Sequence, residues 1–219
     1  MSETSCVIMF ELKFNEVTMN MYDSIWGGVQ HRQVKRNVFI SYYHGDQHAV
    51  NEFVRVFGRE LNVFTPCMLA EGQKFTDDII NSNNPAYVMQ QIRNRYFGHS
   101  TVTIVLLGNC THSRRYVDWE IKASLQRGGV GGQLPHGLMA INLCKMNSTK
   151  YLPPRFVANW NQGNVDCYAP FYRYPNSANE LRGWIEDAHR SRTERSHLIV
   201  NSSEMMKYNR VCDVCGVTH

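Results

Sequence analysis

The chain has 219 residues, 43% of them hydrophobic, and a formal net charge of +4 from 23 Lys and Arg against 19 Asp and Glu. That length suits one full-sized domain with decorated ends, and the apolar share can build a core without metal or disulfide staples, which excludes disordered and fibrous classes. The positive excess is scattered, with short, broken clusters at Arg32–Arg36 and Arg190–Arg195, so it suits a small anionic ligand such as a dinucleotide and argues against a nucleic-acid-binding stripe.

Residues 1–34 lack a sustained period and read as an N-terminal arm, with a short strand at Val7-Ile8-Met9-Phe10 and a turn at Trp26-Gly27-Gly28. Met1–Phe10 carries Glu3 in place of a basic region followed by a long apolar stretch, so no export signal is expected. Seven scattered cysteines (Cys6, Cys67, Cys110, Cys144, Cys167, Cys212 and Cys215) then read as thiols, with Cys67, Cys110 and Cys144 as small core residues. The cytoplasm is the expected location. Sequons beginning at Asn109, Asn147 and Asn201 have no meaning there. The most apolar segment, around Val102–Leu107, falls far short of the roughly 20 residues that cross a bilayer, so no membrane partner is expected.

Regular patterning begins at Asn37. Val38-Phe39-Ile40-Ser41-Tyr42 is a nearly continuous β-favouring run, as in a strand buried in a parallel sheet. Asp46 is placed to cap the next helix, whose Val50, Phe53, Val54 and Phe57 share one face. Leu61–Phe64 reads as a second strand that Pro66 ends, and Cys67–Asn84 as a long connection of the sort used over binding sites. Pro85 starts a helix with Val88 and Ile92 stacked. Thr101–Leu107 is the strongest strand, followed by a loop from Gly108 to Arg115. A helix over Tyr116–Arg127 presents Val117, Ile121 and Leu125 to the core, and Gly128–Gly132 breaks it. Gly137–Leu143 is a strand, Pro153-Pro154 lies in a loop, and Val165–Tyr168 is a weaker strand. Ser177–His189 is a helix with Ala178, Leu181, Ile185 and Ala188 at core spacing, and Ser196 opens a tail. Strands alternating with helices imply an α/β fold, a parallel sheet covered on both faces, with ligands at the carboxyl ends of its strands.

No G-x-G-x-x-G, G-x-x-x-x-G-K-S/T or H-E-x-x-H motif is present, which argues against dinucleotide-dependent dehydrogenases, P-loop ATPases and zincins. Two polar stretches remain after apolar strands, Ser41–Asp46 and Gly108–Glu120, and a parallel layer brings both to one rim. Val38–Tyr42, Thr101–Gly108, Thr111 and Tyr116-Val117-Asp118-Trp119-Glu120-Ile121, in that order and spacing, resemble the TIR-like domain of the bacterial Thoeris antiphage system. The resemblance spans Lys35 to Arg190 and leaves residues 191–219 as a C-terminal appendage. It implies a flavodoxin-like fold of about five parallel strands and cleavage of NAD, as substrate and not cofactor, to a cyclic or conjugated ADP-ribose messenger. It further implies a separate effector that senses the product, a phage-derived activator and a homo-oligomer that completes the pocket. The family's catalytic glutamate lies four residues beyond an aromatic position. Glu120 and Tyr116 match, with tyrosine where tryptophan is common.

Glu120 also gains from its own placement, on a helix face shared with Tyr116 and Ser124 and offset from the core stripe. Loss of nicotinamide leaves positive charge on the ribose, which a nearby carboxylate stabilises. A rim carboxylate of this kind is not expected to support the core. Ser41, Tyr42 and His44 are candidate substrate contacts from the first rim loop, as are Thr111, Arg114 and Arg115 from the second. The arginines are placed for a pyrophosphate, with a solvated basic loop as the plainer reading. Tyr116 either shapes the pocket or is a structural aromatic. Asp118 is expected to pair with Lys122 one turn on, and Trp119 to support the helix or an adjoining subunit. Cys212-x-x-Cys215 and His219 offer three zinc ligands without an evident fourth, so free thiols and no metal are expected. The competing function is a non-catalytic TIR-type interaction module.

Overall fold

The computed structural model describes residues 34–69, 75–128, 133–143 and 151–219. The arm assigned to residues 1–34 lies outside them except for Val34, as do positions 129–132 of the glycine break and Cys144.

Five strands form one sheet in the order β2-β1-β3-β4-β5: β1 (Arg36–Ser41), β2 (Phe64–Cys67), β3 (Val102–Leu107), β4 (Gly137–Asn142) and β5 (Phe171–Tyr172). All neighbours pair in parallel, with Val38 opposite both Pro66 and Val102, and Val105 opposite Ala140. This is the flavodoxin-like, TIR-type α/β arrangement. Every residue of β3 and β4 is buried, which explains their unbroken apolar runs.

Alternation along the strands divides the core between the two faces. Val38, Ile40, Ile104, Leu106, Met139 and Ile141 meet α1 (Gln47–Phe53) and α6 (Ala178–Glu194) through Val50, Phe53, Leu181, Ile185 and Ala188. On the opposite face Phe39 meets Val88, Met89 and Ile92 of α3 (Pro85–Arg95), below a short α2 (Asp77–Ile80). Val105, Leu107, Leu138 and Ala140 meet α4 (Arg115–Ser124) and Phe156 of α5 (Pro154–Val157). Asn84 caps α3, accepting from the amides of Ala86 and Tyr87 ahead of a Pro85 that needs no partner. Among the described residues no helix is long and apolar enough to cross a membrane.

The structure differs from the sequence reading in several elements. The second strand starts at Phe64 and contains Pro66, which a central strand would reject and this edge strand tolerates. Val54–Glu60 continues α1 as a π-helical turn. The long connection holds α2, and Pro154 starts α5. Val165–Tyr168 is not a strand: Asn164 and Asp166 have φ of 58° and 50°, which turns the chain, and the fifth strand follows at Phe171. Asp46 precedes α1 but makes no side-chain capping bond.

The approach of α6 to the sheet depends on Gly137, where an added Cβ would lie 1.8 Å from the Ala188 carbonyl oxygen. Nothing lies within 4 Å of a Cβ at Gly183 on the same helix. G137A should therefore destabilise by about 3 kcal/mol, the upper range for overpacking, while G183A should stabilise by ~0.5–1 kcal/mol through helix propensity alone. Urea unfolding of both variants checks the pair, and equal stabilities would refute the close approach.

Candidate functional site

The order β2-β1-β3 reverses direction at β1, which makes the carboxyl ends of β1 and β3 the switch point where sheets of this kind place ligands. Ser41 ends β1 with its side chain buried, and its hydroxyl donates to Glu120 Oε2 at 2.6 Å. Glu120 sits on the second turn of α4 and is 5% exposed. Burial pushes its carboxyl up to about 8, and the Ser41 hydrogen bond pulls in the other direction. Glu120 is therefore enclosed, where a rim position facing a cleft was expected, and it is mainly protonated at neutral pH.

A second acid stands nearby. The Asp46 carboxylate packs directly over Gly108 at the end of β3, where a Cβ would lie 2.1 Å from Oδ2. Asp46 accepts a long 3.4 Å contact from the Thr111 hydroxyl, which itself accepts the Gly108 amide at 2.9 Å. Burial pushes Asp46 up to about 6, against Thr111 and the charge of Arg114, which lower it. The sequence reading gave this residue to helix capping. Its place in the first rim loop was the available signal, but the glycine that admits its carboxylate lies in the other loop.

Arg114 is buried, donates to the carbonyls of Cys110 at 3.1 Å and His219 at 2.9 Å, and lies 4.3 Å over the Tyr43 ring. Its Nη2 is buried without a hydrogen-bond partner among the described residues. Ser41 and Glu120 thus meet directly, while Thr111 and Arg114 meet around Asp46. Tyr42 donates to Gln47 at 2.7 Å, and exposed His44 sets its ring edge-on to Tyr42 at 5.6 Å.

Arg115 and Tyr116 face elsewhere. Arg115 reaches the Lys207 carbonyl at 3.1 Å and covers the rings of Tyr116 and Trp119, while Tyr116 packs against Phe75 at 5.2 Å. Arg115, Trp119 and Lys122 line a groove of about 810 Å³ between α4, the α2–α3 connection and residues 202–208. Neither Ser41 nor Glu120 lines it. The expected Asp118–Lys122 pair is absent: Asp118 accepts both arms of Arg155 at 2.9 and 3.2 Å and the Met206 amide at 2.9 Å. Lys122 instead donates to the carbonyls of Asn201 and Ser203. Asp118 is buried, and a planar two-armed donor satisfies an enclosed carboxylate where an exposed helical pair does not. Trp119 supports the tail, its indole donating to Met206 O at 2.8 Å.

Beneath Glu120 the sequence reading missed a buried polar seam. Thr103 Oγ1 meets Ser124 Oγ at 2.8 Å and His136 Nδ1 at 3.0 Å, and Ser124 also donates to the Glu120 carbonyl. Burial, with Arg93 and Arg192 adding to it, pushes His136 down to about 3, so the imidazole is neutral.

Residues 39–147 match the family model described as Thoeris protein ThsB, TIR-like domain. That stretch belongs to this TIR-like family. No curated protein matches it. The matched stretch of this defence-related TIR module includes Ser41, Asp46, Thr111, Arg114 and Glu120, and stops before β5, α6 and the tail.

The burial of Glu120 has a measurable sign. Its folded value near 8 exceeds the ordinary 4.5, so between those values the folded state binds the extra proton and stability declines as pH rises. E120Q removes that slope. Its melting temperature should gain on wild type between pH 5 and pH 9, by ~2–4 °C for each kcal/mol involved. Parallel melting curves across that range would refute an enclosed carboxyl.

Proposed function

We propose that this TIR-like domain, with 35–190 as its catalytic unit, breaks the nicotinamide–ribose bond of NAD, with Glu120 as the catalytic carboxylate. The observation that carries this reading is the Ser41–Glu120 contact of 2.6 Å, an enclosed acid held at the sheet's switch point. The bond from ribose C1′ to the nicotinamide nitrogen breaks, its electron pair leaves with the ring, and nicotinamide departs neutral. The cationic ribose is met by ionised Glu120, whose charge in a water-poor setting is strong. A nucleophile then adds at C1′ and releases its proton. Water yields ADP-ribose, an internal nucleophile a cyclic product, and another acceptor a conjugate. Ser41 orients the carboxylate, His44 and Tyr42 border the ribose side, and Thr111 and Arg114 face the pyrophosphate. The Nη2 of Arg114, buried without a hydrogen-bond partner among the described residues, is the donor left for it once the loop admits substrate. The product serves as a messenger for a separate effector, with infection supplying the activator and self-assembly completing the pocket.

The protonated state of free Glu120 has its own role. A cationic nicotinamide ring favours the carboxylate, so NAD drives off the proton that burial retains. The 5% exposure of Glu120 favours one other reading, a TIR module whose acid is only structural and whose work is protein assembly.

One experiment separates them. The protein is incubated with NAD, alone and with extract from phage-infected cells, and products are resolved by mass spectrometry. Nicotinamide should appear, and E120Q should reduce its release on the order of 10²–10³-fold. Because the carboxylate is the working form, kcat/KM should rise about tenfold per pH unit and level off near 8. The limb in kcat should lie lower, since bound NAD favours ionisation. Wild-type turnover in E120Q would remove Glu120 from the chemistry, and no nicotinamide under either condition would leave the assembly module.

A further inference from the structure

The tail carries chemistry that the NAD site does not use. In the loop after β3, Cys110 Sγ lies 2.8 Å from Cys212 Sγ, 3.5 Å from Cys215 Sγ and 3.7 Å from His219 Nε2. Cys215 Sγ and His219 Nε2 are 3.0 Å apart, and the donor atoms of Cys110, Cys215 and His219 all fall within 4.8 Å of one another. The fourth ligand that the sequence lacked near Cys212-x-x-Cys215 is thus supplied from more than a hundred residues away.

The turn holding the paired cysteines is built to face sulfur. Gly216, at φ 73°, donates to the Cys212 carbonyl at 2.8 Å, a conformation glycine adopts without strain. The amides of Val214 and Cys215 are directed at the Cys212 sulfur, and that of Val217 at the Cys215 sulfur. Such converging amides orient metal ligands.

We infer that Cys110, Cys212, Cys215 and His219 form a zinc site that fastens the tail to the β3–α4 loop. Three thiolates and one imidazole make a closed tetrahedral set, the pattern of structural zinc and not of a catalytic site with an open position. Zinc–sulfur bonds of about 2.3 Å and zinc–nitrogen bonds of about 2.0 Å place ligand atoms roughly 3.5 Å apart. The contacts through Cys215 and His219 approach that spacing, and the Cys110–Cys212 pair opens by about 1 Å around the ion. A zinc with three thiolates is net negative. Arg114, already bonded to the carbonyls of Cys110 and His219, supplies the compensating charge. The clasp is backed by Arg210 N to Ser113 O at 2.9 Å and Asp213 N to His112 Nε2 at 3.2 Å. It holds the loop that carries Thr111 and Arg114. Only Cys110 of the four lies in the family-matched stretch.

The test does not depend on NAD turnover. The full chain is purified without chelator and without added metal, and its zinc is measured by plasma mass spectrometry. We expect about one zinc per chain, falling at least tenfold in C110S and in C215S. Wild-type protein stripped by chelator and given Co²⁺ should develop thiolate-to-cobalt charge-transfer absorption, a readout that needs no variant to fold. Stripping should also accelerate amide exchange across Val211–Val217. Wild-type chain that carries no zinc and takes up no Co²⁺ would overturn the site, as would zinc content unchanged in C110S. An intact mass showing a Cys110–Cys212 disulfide in the native protein would overturn it too.

Discussion

Helix α4 is enclosed on nearly every side, and this constraint organises the rest of the molecule. Val117, Asp118, Trp119, Glu120, Ile121, Ala123 and Ser124 are all buried. A helix with one wet face leaves its polar side chains to water. This one cannot, because a buried polar group without a partner is costly. Each such group on α4 is therefore answered from elsewhere in the protein: Asp118 by Arg155, Trp119 by Met206, Ser124 by Thr103, and Glu120 by Ser41.

The tail follows from the same demand. The sheet covers one side of α4, but the Asp118–Trp119–Lys122 side needs another layer. Residues 200–210 provide it mainly through backbone groups, with Arg155 joining Asp118 to Asn201, Ser203 and Glu204. A pair as buried as Asp118–Arg155 earns little net stability, since both ions lose their hydration, but removing one partner strands the other. Its effect is to specify where the tail lies. The tail also brings His219 and the paired cysteines to the loop after β3, so the family-like body and the segment beyond its match meet at one rim.

Glu120 is the exception that matters within this arrangement. Asp118 faces a permanent cation, whereas Glu120 has a neutral hydroxyl, and so its proton is retained. Asp46 shows the same tendency to a lesser degree, with Arg114 as a moderating charge. Two acids with raised proton affinity thus stand at the switch point of the sheet. On the proposed reaction, a cationic ligand converts the enclosed acid into a counter-charge, which links burial, otherwise a cost to folding, to recognition.

Local pattern in the sequence determined the parallel α/β body, because continuous apolar runs such as Val102–Leu107 and helical stripes such as Val117/Ile121/Leu125 are short-range signals of burial. The Tyr116–Ile121 motif, read with Val38–Tyr42 and Thr101–Gly108, likewise pointed to the family. What escaped depended on distant partners. Pro66 is acceptable only because β2 is an edge, and the fifth strand is only two residues long. Asp46 is a rim acid because Gly108 has no side chain, and Arg115 leaves the rim because the tail offers it the Lys207 carbonyl. Cys110 joins Cys212 across an interval of 102 residues. Periodicity reports which side of an element is buried, and only the tertiary structure decides against what, because partners are chosen by proximity in space and not along the chain.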